Sequence, residues 1–202
     1  DADAWHPFCL SVRLPNWLML AATEEVPSEI DKRFWQSVSE QVNWLWQNPE
    51  WDLGGNHLLE NLRTLAIADA TLTGDICIDR GKLYRWIDQE IESQLLASGE
   101  HYERTPTYHA LMLLAMIEIA DSAEAIGVPC NASSAATKMA SFLESILLPD
   151  DQIPLFGDSV FTETPTPRTL INDALEPSEP SKTPSHSDYW VHQSEDGQSQ
   201  LI

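Results

Sequence analysis

The sequence predicts an all-α protein. Apolar residues recur at helical spacing in one segment after another, glycine is scarce at 8 of 202 residues, and β-branched runs bounded by turn residues are few. A hydrophobic fraction of 43% supplies the core of one domain of ordinary size or slightly more.

The elements follow in order. The opening WHPFCLSVRLPNWLMLAA turns helical after Pro15 and carries Arg13, Asn16 and Trp17. A second helix spans Ser28 to Gln47, with Ser28 as N-cap, Ile30, Phe34, Trp35, Val38, Val42 and Leu45 at helical spacing, and Asn48-Pro49 as its stop. The stretch GGNHLLEN opens the third. Gly54 and Gly55 release the backbone from Trp51-Asp52-Leu53, Asn56 serves as N-cap, and His57 to about Leu72 forms the helix. A fourth runs from about Arg80 to Ala97 and ends at Gly99. Thr105-Pro106 opens a fifth that reaches Gly127-Val128-Pro129, and a sixth covers Ser133 to Leu147 before Pro149. A turn-rich strip, PDDQIPLFGDSVF, precedes a short helix from Arg168 to Leu175. Residues 1–175 thus form a helical domain and 176–187, EPSEPSKTPSHS, a Pro/Ser linker. Residues 188–202 read as two short strands about Asp196-Gly197, the start of a β-rich domain that the chain does not include.

Charge narrows the partners. The net charge of −21, from 32 acidic and 11 basic side chains, argues against nucleic acid and against an anionic bilayer. No apolar run approaches the ~20 residues of a membrane span. Cys9, Cys77 and Cys130 are far apart and show no metal knuckle or disulfide framework. The opening Asp1-Ala2-Asp3 carries no signal peptide and reads as a mature product or an excised piece, so the compartment is not fixed. The 8 tryptophans suit large helical interfaces, and Trp also lines sugar-binding clefts.

Two polar clusters stand out. Asn56 and His57 sit at the mouth of a helix, where partial positive charge and unpaired N–H groups suit an anionic ligand. His101, Glu103, Arg104, Tyr108 and His109 occupy the mouth of the fifth helix in the same way. In an array of helix pairs, successive loops at one end line a common cleft. The plain alternative for each is structural: a capping Asn beside a surface His, and a half-buried Tyr beside a His held by a backbone carbonyl.

GGNHLLENL, GEHYERTPTYHALML and IPLFGDSVF, with the opening WHPFCLSVRLPNW, resemble the helical domain of the heparinase II/III-like polysaccharide lyases over Trp5 to Phe161. The resemblance implies an incomplete (α/α) toroid of antiparallel helix pairs, followed by a β-sandwich domain. It implies an enzyme that cleaves an acidic, uronic-acid-containing polysaccharide, heparin- or heparan-like or alginate-like, by β-elimination. Asn56 and His57 match the family's carboxylate-neutralising pair, and Tyr108 its acid–base tyrosine. Arg104 and His109 are placed to favour the tyrosinate, and both, with Trp51 and Glu60, are expected at the substrate. Glu60 and Asn61 also orient His57 or brace the neighbouring helix, and Asp158 fixes the closing turn. No cofactor is expected within this chain, since the metal held by some members lies in the β-domain. That domain also supplies a catalytic His, so the chain alone is expected to be a partial site. Family membership would make the protein periplasmic or secreted. The competing reading is a non-catalytic helical module that binds glycan or protein.

Overall fold

The computed structural model describes residues 3–24, 26–74, 76–161 and 163–175, and the strand residues 192–193 and 200–201. After a 3₁₀ turn at Asp3–Trp5 come α1 (Pro7–Thr23), α2 (Asp31–Gln47), α3 (Gly55–Thr71), α4 (Arg80–Gln94), α5 (Pro106–Ala125), α6 (Ala132–Ile146) and α7 (Pro167–Ala174). Two short strands close the list, His192–Gln193 paired antiparallel with Gln200–Leu201. The expected linker at 176–187 and the turn at Asp196-Gly197 lie outside the described residues.

The chain divides into two compact units, one of residues 1–90 and 118–130, the other of 91–117 and 131–202. In the first, α1 packs on α3 and both pack on α2. Leu10, Leu14, Val38, Val42, Leu45, Leu62 and Leu65 are fully buried there. Burying a side chain of this size contributes roughly 1.5–3 kcal/mol. In the second unit α6 packs on α7, with Leu113, Ala140, Leu143 and Leu170 fully buried.

Helix α1 begins at Pro7, and Pro15 lies inside it instead of opening it. A proline has no N–H, so the carbonyl four residues earlier, on Ser11, loses its helical partner. Thr64 of α3 supplies the replacement, donating its hydroxyl to the Ser11 carbonyl at 2.8 Å. The Asn61 amide donates to the Ser11 hydroxyl at 3.0 Å, and that hydroxyl donates to the Pro7 carbonyl at 3.0 Å. The internal proline is thus accommodated by the helix across from it. Arg13 ties α1 to α2, donating to Gln41 Oε1 from Nε at 2.9 Å and from Nη2 at 2.6 Å.

Two expected N-caps are also displaced. The N-cap of α2 is Ile30 and not Ser28, and it offers no capping side chain. The N-cap of α3 is Gly54 and not Asn56. Gly54 and Gly55 both take positive φ, 62° and 57°, and that bend starts the helix earlier than a side-chain cap at Asn56 would. Side-chain caps of the expected kind stand at α4, where Asp79 Oδ1 accepts from the Lys82 amide at 2.9 Å, and at α7, where the Thr166 hydroxyl accepts from the Thr169 amide at 3.3 Å.

Candidate active site

The bend at Gly54-Gly55 sets Asn56 and His57 in the first turn of α3, at the second and third helical positions. Both are half-buried. The Asn56 amide has no hydrogen-bond partner among the described residues, so it is not spent on capping. His57 is 39% exposed, and its Nδ1 donates to Oε1 of Glu50 at 3.2 Å. Its other nitrogen, Nε2, makes no hydrogen bond among the described residues. Phe8 packs on the imidazole with ring centres 4.7 Å apart.

Glu50 is the residue that sequence reasoning missed. It sits in the loop before α3 and is 5% exposed. Its carbonyl accepts from the Leu53 and Gly54 amides, at 3.2 and 2.9 Å, which shapes the turn. Its own amide donates to Asn61 Oδ1 at 2.8 Å, and its Oε2 accepts from Asn61 Nδ2 at 3.0 Å. His6 Nε2 stands 3.9 Å from Oε1. Asn61, fully buried, therefore orients His57 through Glu50 and braces α1 through Ser11.

Glu60 faces Arg63 at 2.7 Å, and Arg63 also binds Glu118. Burial pushes the Glu60 carboxyl up, against the pull of Arg63. Glu60 is thus engaged by Arg63 on its own helix, and Arg63 in turn reaches Glu118 of α5, which fits the expected bracing role. Arg63, Arg80 and Arg168 are all paired with acidic side chains, so these arginines do not offset an acidic polymer. Trp51 is 47% exposed and meets Trp86 edge-on at 4.6 Å, with Trp46 on the same ring at 5.1 Å. Lys82 Nζ lies 4.5 Å above Trp86. A groove lined by Lys32, Trp35, Gln36, Ser39, Glu40 and Asn43 reaches α3 at Thr71, its opposite end, on the order of 20 Å along the axis from His57.

The second cluster belongs to the other compact unit. Arg104 is exposed and takes a left-handed φ of 55° at the bend into α5. Tyr108 is half-buried, and its hydroxyl has no hydrogen-bond partner among the described residues. His109 is 1% exposed. Its Nε2 donates to the Met139 carbonyl at 2.9 Å and its Nδ1 accepts from the His101 amide at 3.2 Å. Burial lowers the His109 pKa to about 4, against the bond to Met139. A neutral ring with both nitrogens engaged can neither touch a substrate nor lend positive charge to Tyr108. His109 is a core residue, contrary to expectation. His101 is also buried, with its pKa lowered to about 4 by burial and by His109.

The closing strip is held by Thr107 and not by Asp158. The Thr107 hydroxyl donates to the Val160 carbonyl at 2.8 Å and accepts from the Val160 amide at 2.9 Å. No group of His, Cys, Asp and Glu among the described residues is arranged to hold a metal ion, and no helix there is long and apolar enough to cross a membrane.

Three solved structures share the fold. A heparinase III gene product aligns with a TM-score of 0.64 at 20% identity, covering 95% of this chain and 33% of its own. A second heparinase III aligns with a TM-score of 0.61 at 20% identity, covering 78% and 25%. The heparan sulfate lyase HepC from Pedobacter heparinus gives 0.58 at 18% identity, covering 94% and 32%. The chain therefore spans between a quarter and a third of the proteins it resembles. No curated protein matches it. The fold class read from the sequence, the all-α incomplete toroid, is borne out by these likenesses. The family model of the heparinase II/III N-terminus matches residues 1–176, and the chain belongs to that family.

Proposed function

We propose that this chain provides the helical part of a polysaccharide lyase active site, acting on uronic-acid-containing polymers such as heparan sulfate. The observation that carries the reading is the mouth of α3, where an uncommitted Asn56 amide stands beside a His57 ring fixed at Nδ1 and open at Nε2. β-Elimination removes the C5 proton of a uronate and breaks the C4–O bond, leaving a C4–C5 double bond. The C5 proton becomes acidic enough only when the neighbouring carboxylate has its charge offset. A donor placed where that charge builds is typically worth about 3–4 kcal/mol. Asn56 supplies a neutral donor, and His57 a second when its ring carries both protons.

Tyr108 serves as the acid–base group, a kind of assistance worth roughly 10²- to 10⁴-fold. Arg104 is the basic side chain nearest to it in sequence, now without help from His109. Trp51, half-exposed on Trp86, offers an aromatic face for a sugar ring. The exposed aromatic face also suits the competing reading, a glycan-binding module without chemistry. The test is Tyr108→Phe in a longer protein carrying this chain, followed by the ultraviolet absorbance of the unsaturated product on a panel of uronate polymers. Loss of product with retained glycan binding is the expected result. An unchanged yield removes Tyr108 from the mechanism, and binding without product from the unsubstituted protein favours the module.

A further inference from the structure

We propose that Glu50 is a positioning residue that sets the tautomer of His57, holding the ring proton on Nδ1 and turning a bare Nε2 outward. The proposal rests on the lyase reading for its use in catalysis, but its structural content stands on the local geometry alone.

Each oxygen of the buried Glu50 carboxylate has its own donor. Oε1 faces His57 Nδ1 at 3.2 Å, with His6 Nε2 farther off at 3.9 Å, and Oε2 receives Asn61 Nδ2 at 3.0 Å. Asn61 cannot flip to relieve this arrangement. Its Oδ1 accepts the Glu50 amide at 2.8 Å, and its Nδ2 also donates to the Ser11 hydroxyl at 3.0 Å. The amide orientation is thus fixed by a backbone donor, and it dictates that the group opposite Nδ2 accepts. With both carboxylate oxygens accepting, the imidazole nitrogen on Oε1 has to carry a proton.

The consequence for chemistry is specific. A neutral His57 held this way shows a lone pair at Nε2 and can only accept there. It becomes a donor toward a substrate carboxylate only as the doubly protonated ring, whose charge Glu50 balances. Without Glu50, a neutral ring is free to place its proton on Nε2 and act as a weak neutral donor.

Glu50→Gln separates these states. The side chain keeps its shape, but one oxygen becomes an NH₂. Asn61 Nδ2 requires the remaining oxygen to face it, so the new NH₂ meets His57 Nδ1 and forces that nitrogen to accept. The proton moves to Nε2. Nitrogen-15 NMR of the 202-residue chain, with His57 assigned by its loss in His57→Gln, reads the tautomer directly. The expected result is a neutral Nδ1–H ring in the unsubstituted chain and an Nε2–H ring in Glu50→Gln. An Nε2–H ring in the unsubstituted chain, or the same tautomer in both, overturns the proposal. The first of those comparisons needs no variant and so holds even if Glu50→Gln fails to fold. In a longer protein carrying this chain, Glu50→Gln is expected to lower kcat on a uronate polymer by roughly 10²-fold, with KM changed far less. Absence of product from the unsubstituted longer protein counts against the lyase reading, while the NMR result decides the Glu50 proposal by itself.

Discussion

The first turns of α3 and α5 carry the same kinds of residue and use them in opposite ways. At α3 the histidine falls on the third helical position, 39% exposed, with a buried carboxylate behind it and an open nitrogen in front. At α5 the third position is Tyr108 and the histidine comes one residue later. One residue is about 100° of helix rotation, which takes the His109 ring from the mouth to the core. There it meets a backbone carbonyl and a backbone amide and is finished as a structural group. What separates a histidine with an open nitrogen from a packed one here is the partner on the other nitrogen: a side-chain carboxylate at one mouth, the main chain at the other.

That contrast is breakable by substitution. Asn56→Ala and His57→Ala are expected to lower product formation by about 10²- to 10³-fold each in a longer protein carrying the chain. Their melting should move little, because neither side chain closes a buried network except through the partly exposed His57–Glu50 bond. Equal losses of stability and activity would mean that these residues hold the fold and not the substrate.

Acid should loosen the packing around the first turn of α5. His101 and His109 have folded pKa values lowered to about 4 from an ordinary 6.5, chiefly by burial. The unfolded chain takes up their protons below pH 6.5, while the folded chain refuses them until about pH 4. Their contribution is therefore complete above that upper value and is lost as the pH falls through the window. It amounts to about 3 kcal/mol for each ring. Denaturant midpoints measured across the window should drop, and a flat profile would contradict the buried neutral pair.

Replacing His109 by Ala should cost about 3 kcal/mol, from the lost volume beside Phe142 and the unpaired Met139 carbonyl. Activity per folded molecule should survive. A loss of activity at full stability would return His109 to the substrate. The smallest effect is expected at Gly54→Ala. Nothing lies within 4 Å of the added carbon, yet φ of 62° with ψ of −152° is a conformation almost confined to glycine. Such strain is worth about 1–3 kcal/mol, and thermal melting of the variant reads it.

The helices were legible because periodicity survives in one dimension. The segments read around α2, α3, α4, α5 and α6 all form, with ends displaced by a few residues where glycine geometry replaced a side-chain cap. Asn56, His57 and Tyr108 were legible as groups at helix mouths. Glu50 was not, because its partners lie 7 and 11 residues on, across a glycine bend whose direction no spacing rule gives. For Glu60 the bracing role was legible, since Arg63 lies three residues on along the same helix, whereas Glu118, which Arg63 also binds, is brought in only by the fold. Pro15 misled because a proline reads as a helix opener, while the group that rescues it is Thr64, far along the chain.

That internal proline also fixes how far along α1 the third helix can sit. Apolar ridges repeat with every turn, about 5.4 Å, and two helices meeting only through them can slide by a turn and find a similar fit. The Ser11 carbonyl does not repeat: it is the acceptor that Pro15 leaves over, and Thr64 meets it at one longitudinal setting. A slip by one turn would strand that acceptor and pull Asn61 off Ser11, and with it Glu50 and His57. The proline thus acts as an index mark, and the position of the His57 ring is measured from it.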